Sequence, residues 1–209
     1  MEPHIPPTCH RCPALAANRS RVVPGYGPAP ARVMFVGEAP GYRGADVTGV
    51  PFTRDRSGRR LQALLIRLGL SLEADPAVER PRLRGCYLTN LVRCNPPDNR
   101  RPTRAEIGAC LPYLLAELER VQPRILVPVG LLAAQVLLKH LLGRPAGRMR
   151  ELHARPIRIE PGTCPGPPEV ILPLRHPSRA SNTELDTFAQ ALAAFVDLQH
   201  TFPPTQPIP

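Results

Sequence analysis

Apolar and polar positions along the chain form blocks that read in turn as strands and helices. Arg32 to Gly37 is a short apolar run closing on glycine, which predicts a buried strand. From Ser57 to Gly69 the apolar residues fall at positions 61, 64, 65 and 68, the spacing of one helical face. Gly85 to Val92 predicts a second strand. Thr103 and Glu106 form a capping box that opens a helix running to about Val121. Arg124 to Gly130 predicts a third strand, Leu131 to Leu142 a helix, and Glu169 to Arg175 a fourth strand. A last helix is expected from Thr183 to His200, with apolar residues at 185, 188, 192, 195 and 196. Strands that alternate with helices predict an α/β fold, a parallel sheet covered on both faces. Ligands of such sheets bind beyond the carboxyl ends of the strands. Four segments fall there: Gly37 to Tyr42, Asn90 to Pro97, Gly130, and His176 to Ser178.

A length of 209 residues with 43% hydrophobic content suits one domain with a real core. That domain is expected over residues 1–200, its N-terminal segment carrying a cysteine pair, with a Pro-rich extended tail over 201–209. Further prolines crowd the first thirty residues and the segment 161–168. The longest apolar run, Ile125 to Leu138, is broken by Pro128, Gly130 and Gln135 and is too short to span a bilayer. The first residues have neither a basic nor an apolar signal region, so a cytoplasmic, non-membrane protein is expected. The net charge of +10 points to a polyanionic partner, against the plainer reading of an Arg-rich surface. Lys139 is the only lysine and sits in an apolar helical run, which argues against Schiff-base chemistry.

In a reducing cytosol the six cysteines, at positions 9, 12, 86, 94, 110 and 164, read as metal or cluster ligands rather than a disulfide framework. Cys9 and Cys12 form a C-x2-C-P pair, and Cys94 and Cys110 supply two further thiolates. The spacing fits zinc and an iron–sulfur cluster alike. The plainer reading makes Cys94 and Cys110 small buried hydrophobes. Cys86, in a strand, and Cys164, in a Pro/Gly loop, are expected to be non-ligands.

The strand-end loops carry the candidate chemistry. In Gly37-Glu38-Ala39-Pro40-Gly41, glycines let backbone N–H groups approach a ligand and Glu38 can polarise a water; the sequence also suits a plain turn. Phe52 is an aromatic in a polar loop, placed to stack on a planar base or to plug the core. Asp55 is a second candidate carboxylate or the cap of the helix that follows. Asn90 offers donor and acceptor together, matching one edge of a nucleobase. Pro177 holds His176 out of the α region, presenting its ring from extended backbone.

Taken together, Cys-x2-Cys, Gly-Glu-Ala-Pro-Gly, Pro-Phe-Thr, the stretch Tyr87 to Thr103, Ala-Cys-x-Pro and His-Pro-Ser resemble the iron–sulfur uracil-DNA glycosylases over roughly residues 9–197. Gly-Glu-Ala-Pro-Gly and Cys-Asn-Pro-Pro resemble family 4. The loop spacing to Thr-Gly-x-Pro-Phe-Thr and the His-Pro-Ser-x-x-x-Asn-Thr stretch resemble family 5. The resemblance implies a three-layer α/β/α sandwich around a four-stranded parallel sheet, and a [4Fe-4S] cluster on Cys9, Cys12, Cys94 and Cys110. It implies an enzyme that hydrolyses the N-glycosidic bond of an extruded uracil in DNA. With Lys139 remote, a monofunctional enzyme that leaves the abasic site uncut is expected, acting as a monomer.

By the same resemblance Phe52 stacks on the base, Asn90 reads its N3–H and O4 edge, and His176 donates to O2 as charge develops there. Glu38 or Asp55 positions the water, with Asp55 slightly favoured by loop spacing. Backbone around Gly37, Ala39 and Gly41 completes the pocket. Arg54, Arg56, Arg100, Arg101 and Arg179, with Ser57 and Ser178, are expected on phosphates. Gly41 stands where another family has a Tyr that excludes the thymine methyl, so hypoxanthine and xanthine join the expected substrates. The loop after His-Pro-Ser lacks the Leu wedge of some relatives and leaves Arg179 in its place. Two alternatives remain at this point: a catalytically silent nucleic-acid binder of the same fold, and a zinc-stabilised nucleotide hydrolase.

Overall fold

Alternate residues of the central strand serve two different helical layers. The computed structural model describes residues 5–160 and 168–196. Strand β1 (Val33–Gly37) lies between β2 (Cys86–Asn90) and β3 (Ile125–Pro128), and every residue of the three is buried. Val33 and Phe35 face one core with Leu61, Leu64 and Leu65 of α3 (Arg56–Arg67) and Phe188 and Leu192 of α7 (Asn182–Ala193). Met34 and Val36 face the other, with Leu114 and Leu118 of α4 (Arg104–Val121) and Ala133 and Leu137 of α5 (Leu131–Leu142). Period-2 alternation in a doubly covered strand thus produces the three α/β/α layers.

The sheet order is β2-β1-β3-β5-β4, with β5 at Val170–Ile171 and β4 at Ile157–Arg158. β2, β1, β3 and β5 are parallel, as expected. The expected sheet of four strands is corrected to five, because β4 pairs antiparallel on the outer edge of β5. Two residues are too few to show a pattern in sequence.

Helix α4 starts at the expected capping box: Glu106 N–H donates to Thr103 Oγ1 at 3.2 Å, and Thr103 N–H to Glu106 Oε2 at 2.7 Å. α5 has the expected bounds and is capped by Gly130, whose φ of +95° is open to glycine at little cost. Short helices α1 (Pro13–Asn18), α2 (Ala45–Thr48) and α6 (Met149–Leu152) were not anticipated from the pattern, nor was the 3-10 turn Pro97–Asn99. Helix α7 ends at Ala193, short of the expected His200, and residues 194–196 are not helical. Residues 197–200, Cys164, most of the segment 161–168 and the tail lie outside the described residues. Among the described residues no helix is long and apolar enough to cross a membrane.

Candidate active site

Sheet register brings the strand ends level. Gly37 of β1 pairs with Asn90 of β2, and Val36 with Pro128 of β3. A bridge from Val129 to Leu174 then delivers His176 two residues later. At this edge lies a cavity of about 830 Å³ whose lining includes Glu38, Ala39, Gly41, Phe52, Asp55, Ser57, Asn90, Arg100, His176, Ser178 and Arg179. Gly37 lies behind this wall. A Cβ there would collide with Asn90 Oδ1 and stand 2.5 Å from Phe52 Cζ, so the bare glycine is what lets ring and carboxamide close over β1.

Asn90 is 3% exposed, and among the described residues no hydrogen bond engages its carboxamide. Asn90 lines the cavity and its carboxamide is not sealed from it, so its donor and acceptor are open to a ligand edge. Phe52 is half-buried: its ring packs on the core shared by α3 and α7 and also lines the cavity. Its backbone and that of Arg54 are left-handed, with φ of 56° and 66°. Such strain is held only where the surroundings over-determine it. Here Gln62 Nε2 donates to Phe52 O at 3.1 Å, and the buried Thr53 hydroxyl donates to Val50 O at 2.8 Å.

Ser178 N–H donates to His176 Nδ1 at 3.4 Å, and the Ser178 hydroxyl lies 2.8 Å from the same nitrogen. A backbone N–H only donates, so Nδ1 accepts and a neutral ring carries its proton on Nε2. Burial pushes the His176 pKa below its usual 6.5; the charges of Glu38 and Asp55 oppose this and Arg179 adds to it. Gly130 sits between His176 and Glu38: a Cβ there would stand 3.1 Å from Glu38 Oε1 and 3.7 Å from His176 Cβ.

Asp55 caps α3, with Oδ1 accepting from Gly58 N–H and from the Ser57 hydroxyl, both at 2.7 Å. Its Oδ2 is turned toward Gly41 and Gly44, where Cβ atoms would stand 2.7 and 2.5 Å away. Glu38 is freer: among the described residues its Oε2 has only a long contact, 3.8 Å, to Arg101 Nε.

The basic residues divide. Arg179 and Arg101 are exposed on the cavity. Arg100 also lines it but is held by Glu106 through two hydrogen bonds of 2.9 and 2.7 Å. Arg54 is outside the lining and pairs with Glu79 at 3.7 Å. Lys139 is exposed in the last turn of α5, also outside the lining.

The four cysteines gather on the α4 side. Cys9 and Cys12 pack against a core that contains Cys94 and Cys110. Cys12 occupies the cap position of α1, with Pro13 opening the helix. Burial pushes the Cys94 thiol up to about 11, against the pull of Arg19, whose Nη1 lies 3.5 Å from its sulfur. Burial likewise raises Cys110, next to Arg93. Arg93 is fully buried, pairs with Glu117 at 2.7 Å, and leaves Nε and Nη1 without partners among the described residues. Four soft donors, with a guanidinium 3.5 Å from one of the sulfurs, fit an anionic metal–sulfur group. Among the described residues no three His, Cys, Asp or Glu side chains converge as ligands of a single ion. Cys86 is buried in β2 and donates to Leu70 O at 3.3 Å, consistent with a non-ligand.

Several site residues were missed from sequence. Asn95, 1% exposed, donates to Pro40 O at 2.8 Å and to Asn99 Oδ1 at 2.9 Å, and Asn99 Oδ1 also accepts from Tyr42 N–H at 2.9 Å. The asparagines of Cys94-Asn-Pro-Pro-Asp-Asn99 were the available signal. Arg148, Met149 and Arg150 reach the cavity from α6, a helix too short to show periodicity.

The family model described as the uracil DNA glycosylase superfamily matches residues 24–199. A type-4 uracil-DNA glycosylase of Pyrobaculum aerophilum is 37% identical over 147 residues, 70% of this chain and 67% of the relative. A type-5 uracil-DNA glycosylase of the same organism is 37% identical over 182 residues, covering 76% of this chain and 78% of the relative. The type-5 uracil-DNA glycosylase of Thermus thermophilus is 39% identical over 150 residues, 63% of this chain and 68% of the relative.

Proposed function

The chain belongs to the uracil-DNA glycosylase superfamily, and from that premise we propose that it is a monofunctional DNA glycosylase hydrolysing the N-glycosidic bond of uracil in DNA. The observation that carries this reading is the meeting of Phe52, Asn90 and His176, from three separate segments, in one cavity. A base inside a duplex is unreachable, so the nucleotide is first extruded. Phe52 stacks on the base and Asn90 supplies the complementary edge. His176, neutral and protonated on Nε2, donates to O2 as the base departs as an anion, a preorganised donor aimed at developing charge.

We assign the water to Glu38 rather than Asp55. One oxygen of Asp55 is committed to capping α3, whereas Glu38 lies beside His176 across Gly130. In this reading Asp55 holds the Gly41–Gly44 loop and adds negative charge facing the sugar. The exposed Lys139 lies away from the cavity, which supports hydrolysis without strand cleavage by an amine.

Cys9, Cys12, Cys94 and Cys110 are proposed to hold a [4Fe-4S] cluster. Cys9 and Cys12 of the N-terminal segment, with Cys94 after β2 and Cys110 of α4, would hold it as thiolates, and Arg19, 3.5 Å from the Cys94 sulfur, would offset its negative charge. One catalytic domain over residues 1–200, acting as a cytoplasmic monomer, completes the proposal. Hypoxanthine and xanthine are proposed as further bases.

The test is a panel of single- and double-stranded oligonucleotides carrying one uracil, hypoxanthine or xanthine, incubated with the protein and then treated with alkali. Breaks at uracil are expected. No break at any base leaves a nucleic-acid binder of the same fold, and a colourless protein without absorption near roughly 400 nm removes the cluster.

A further inference from the structure

We propose that Tyr42 is a stacking platform for the base that neighbours the extruded nucleotide, an inference that rests on the glycosylase reading and extends the site to the flanking strand. The chain has no Trp and only 4% aromatic residues, and Phe35, Tyr87 and Phe188 are buried. Tyr42 is 59% exposed, the most exposed large apolar side chain among the described residues, and it lines the same cavity as Phe52 and His176. An aromatic left in water at the mouth of a site is an unfavourable placement that a stacked base reverses.

The ring stands on a stiff mount. Tyr42 N–H is held by Asn99 Oδ1 at 2.9 Å, and Asn99 is held by buried Asn95 at 2.9 Å. Asn95 also fixes Pro40 O at 2.8 Å and receives Asn18 Nδ2 on its own Oδ1 at 3.0 Å. With the backbone anchored and few side-chain torsions, little freedom is lost on contact. Charge suits the occupant: Arg43, Arg101, Arg150 and Arg179 are exposed around the same cavity, matching the phosphates of a strand crossing it. A ring this exposed belongs to the rim, where it meets a neighbouring base and leaves the C5 edge of the extruded base untouched.

The experiment uses the full chain, as wild type, Tyr42→Ala and Tyr42→Trp. The probes are oligonucleotides with a tetrahydrofuran abasic analogue, or one uracil, and 2-aminopurine on its 5′ or 3′ side. Wild type is expected to change the 2-aminopurine fluorescence on one side. Tyr42→Ala is expected to lose that change, bind the abasic probe about 5- to 100-fold more weakly, and raise KM more than it lowers kcat. Tyr42→Trp is expected to restore both, which separates stacking from misfolding; thermal melts of each variant check the fold. Unchanged affinity and fluorescence in Tyr42→Ala overturn the proposal. So does newly acquired release of thymine, which would make Tyr42 a methyl gate. Failure of the glycosylase reading shows separately, as wild type that binds the probes but releases no uracil.

Discussion

The hydroxyl oxygen of Ser178 lies 2.8 Å from His176 Nδ1, and the amide of the same serine donates to that nitrogen at 3.4 Å. This pair directs the imidazole proton to Nε2. His176→Ala is therefore expected to lower kcat on uracil-DNA by about 100- to 1,000-fold, the loss of one preorganised donor. Ser178→Ala keeps the amide and should lose less. Single-turnover kinetics read both, and unchanged turnover in His176→Ala would remove His176 from the chemistry.

The depressed His176 pKa sets a pH window. Its folded value lies below 6.5, so the ring is neutral in the folded protein at pH values where a free imidazole is still partly charged. Stability from this group is present above pH 6.5 and is lost as pH falls toward the lower folded value. Activity that needs the neutral Nε2–H donor should stay level from about pH 8 down through 6.5 and fall only on the acid side of that, at the lowered folded value. A kcat that instead drops as pH rises through 6 to 7 would mean the imidazolium is the working form.

Gly37→Ala tests the close packing of Asn90 and Phe52 over β1. The new methyl meets Asn90 Oδ1 and the Phe52 ring, so both must move. The expected result is a loss of more than about tenfold in kcat/KM, since about 1 Å of misplacement is already costly. Circular dichroism should retain the native fold. Full activity would show that Asn90 and Phe52 do not need their present positions.

The two carboxylates separate by paired substitutions. Asp55→Asn keeps a capping oxygen and should retain stability, whereas Asp55→Ala should cost about 0.5–2 kcal/mol through the lost cap. Glu38→Gln should leave stability nearly unchanged and lower kcat at least about 100-fold, the lower end expected of a positioned general base. A larger kcat loss in Asp55→Asn than in Glu38→Gln would reverse the assignment.

Much of this was legible in the sequence for physical reasons that differ by element. α4 and α5 were readable because a capping box and a glycine cap bracket long periodic runs. The strand tips were readable because short apolar runs end in Gly37, Asn90, Gly130 and His176. β4, α1, α2 and α6 have six residues or fewer, too short for a period to register. The start of α7 at Asn182 was placed one residue late, although Ser181 and Glu184 form a capping box. Asn95 and Asn99 escaped notice because their work is to join segments far apart in the chain.

Removal of the thiolates tests the cluster. Cys94→Ala should abolish broad absorption near roughly 400 nm and lower Tm, because metal binding to a folded site adds to folding free energy. Retained absorption with four irons per chain would exclude Cys94 as a ligand.

The most direct measurement is mass spectrometry of the free base from uracil-containing DNA incubated with sub-stoichiometric protein. Free uracil in molar excess over the protein is expected, from a strand that stays whole until alkali is added. DNA that retains all its uracil, or a strand cut before alkali, would contradict a monofunctional glycosylase built on the meeting of Phe52, Asn90 and His176.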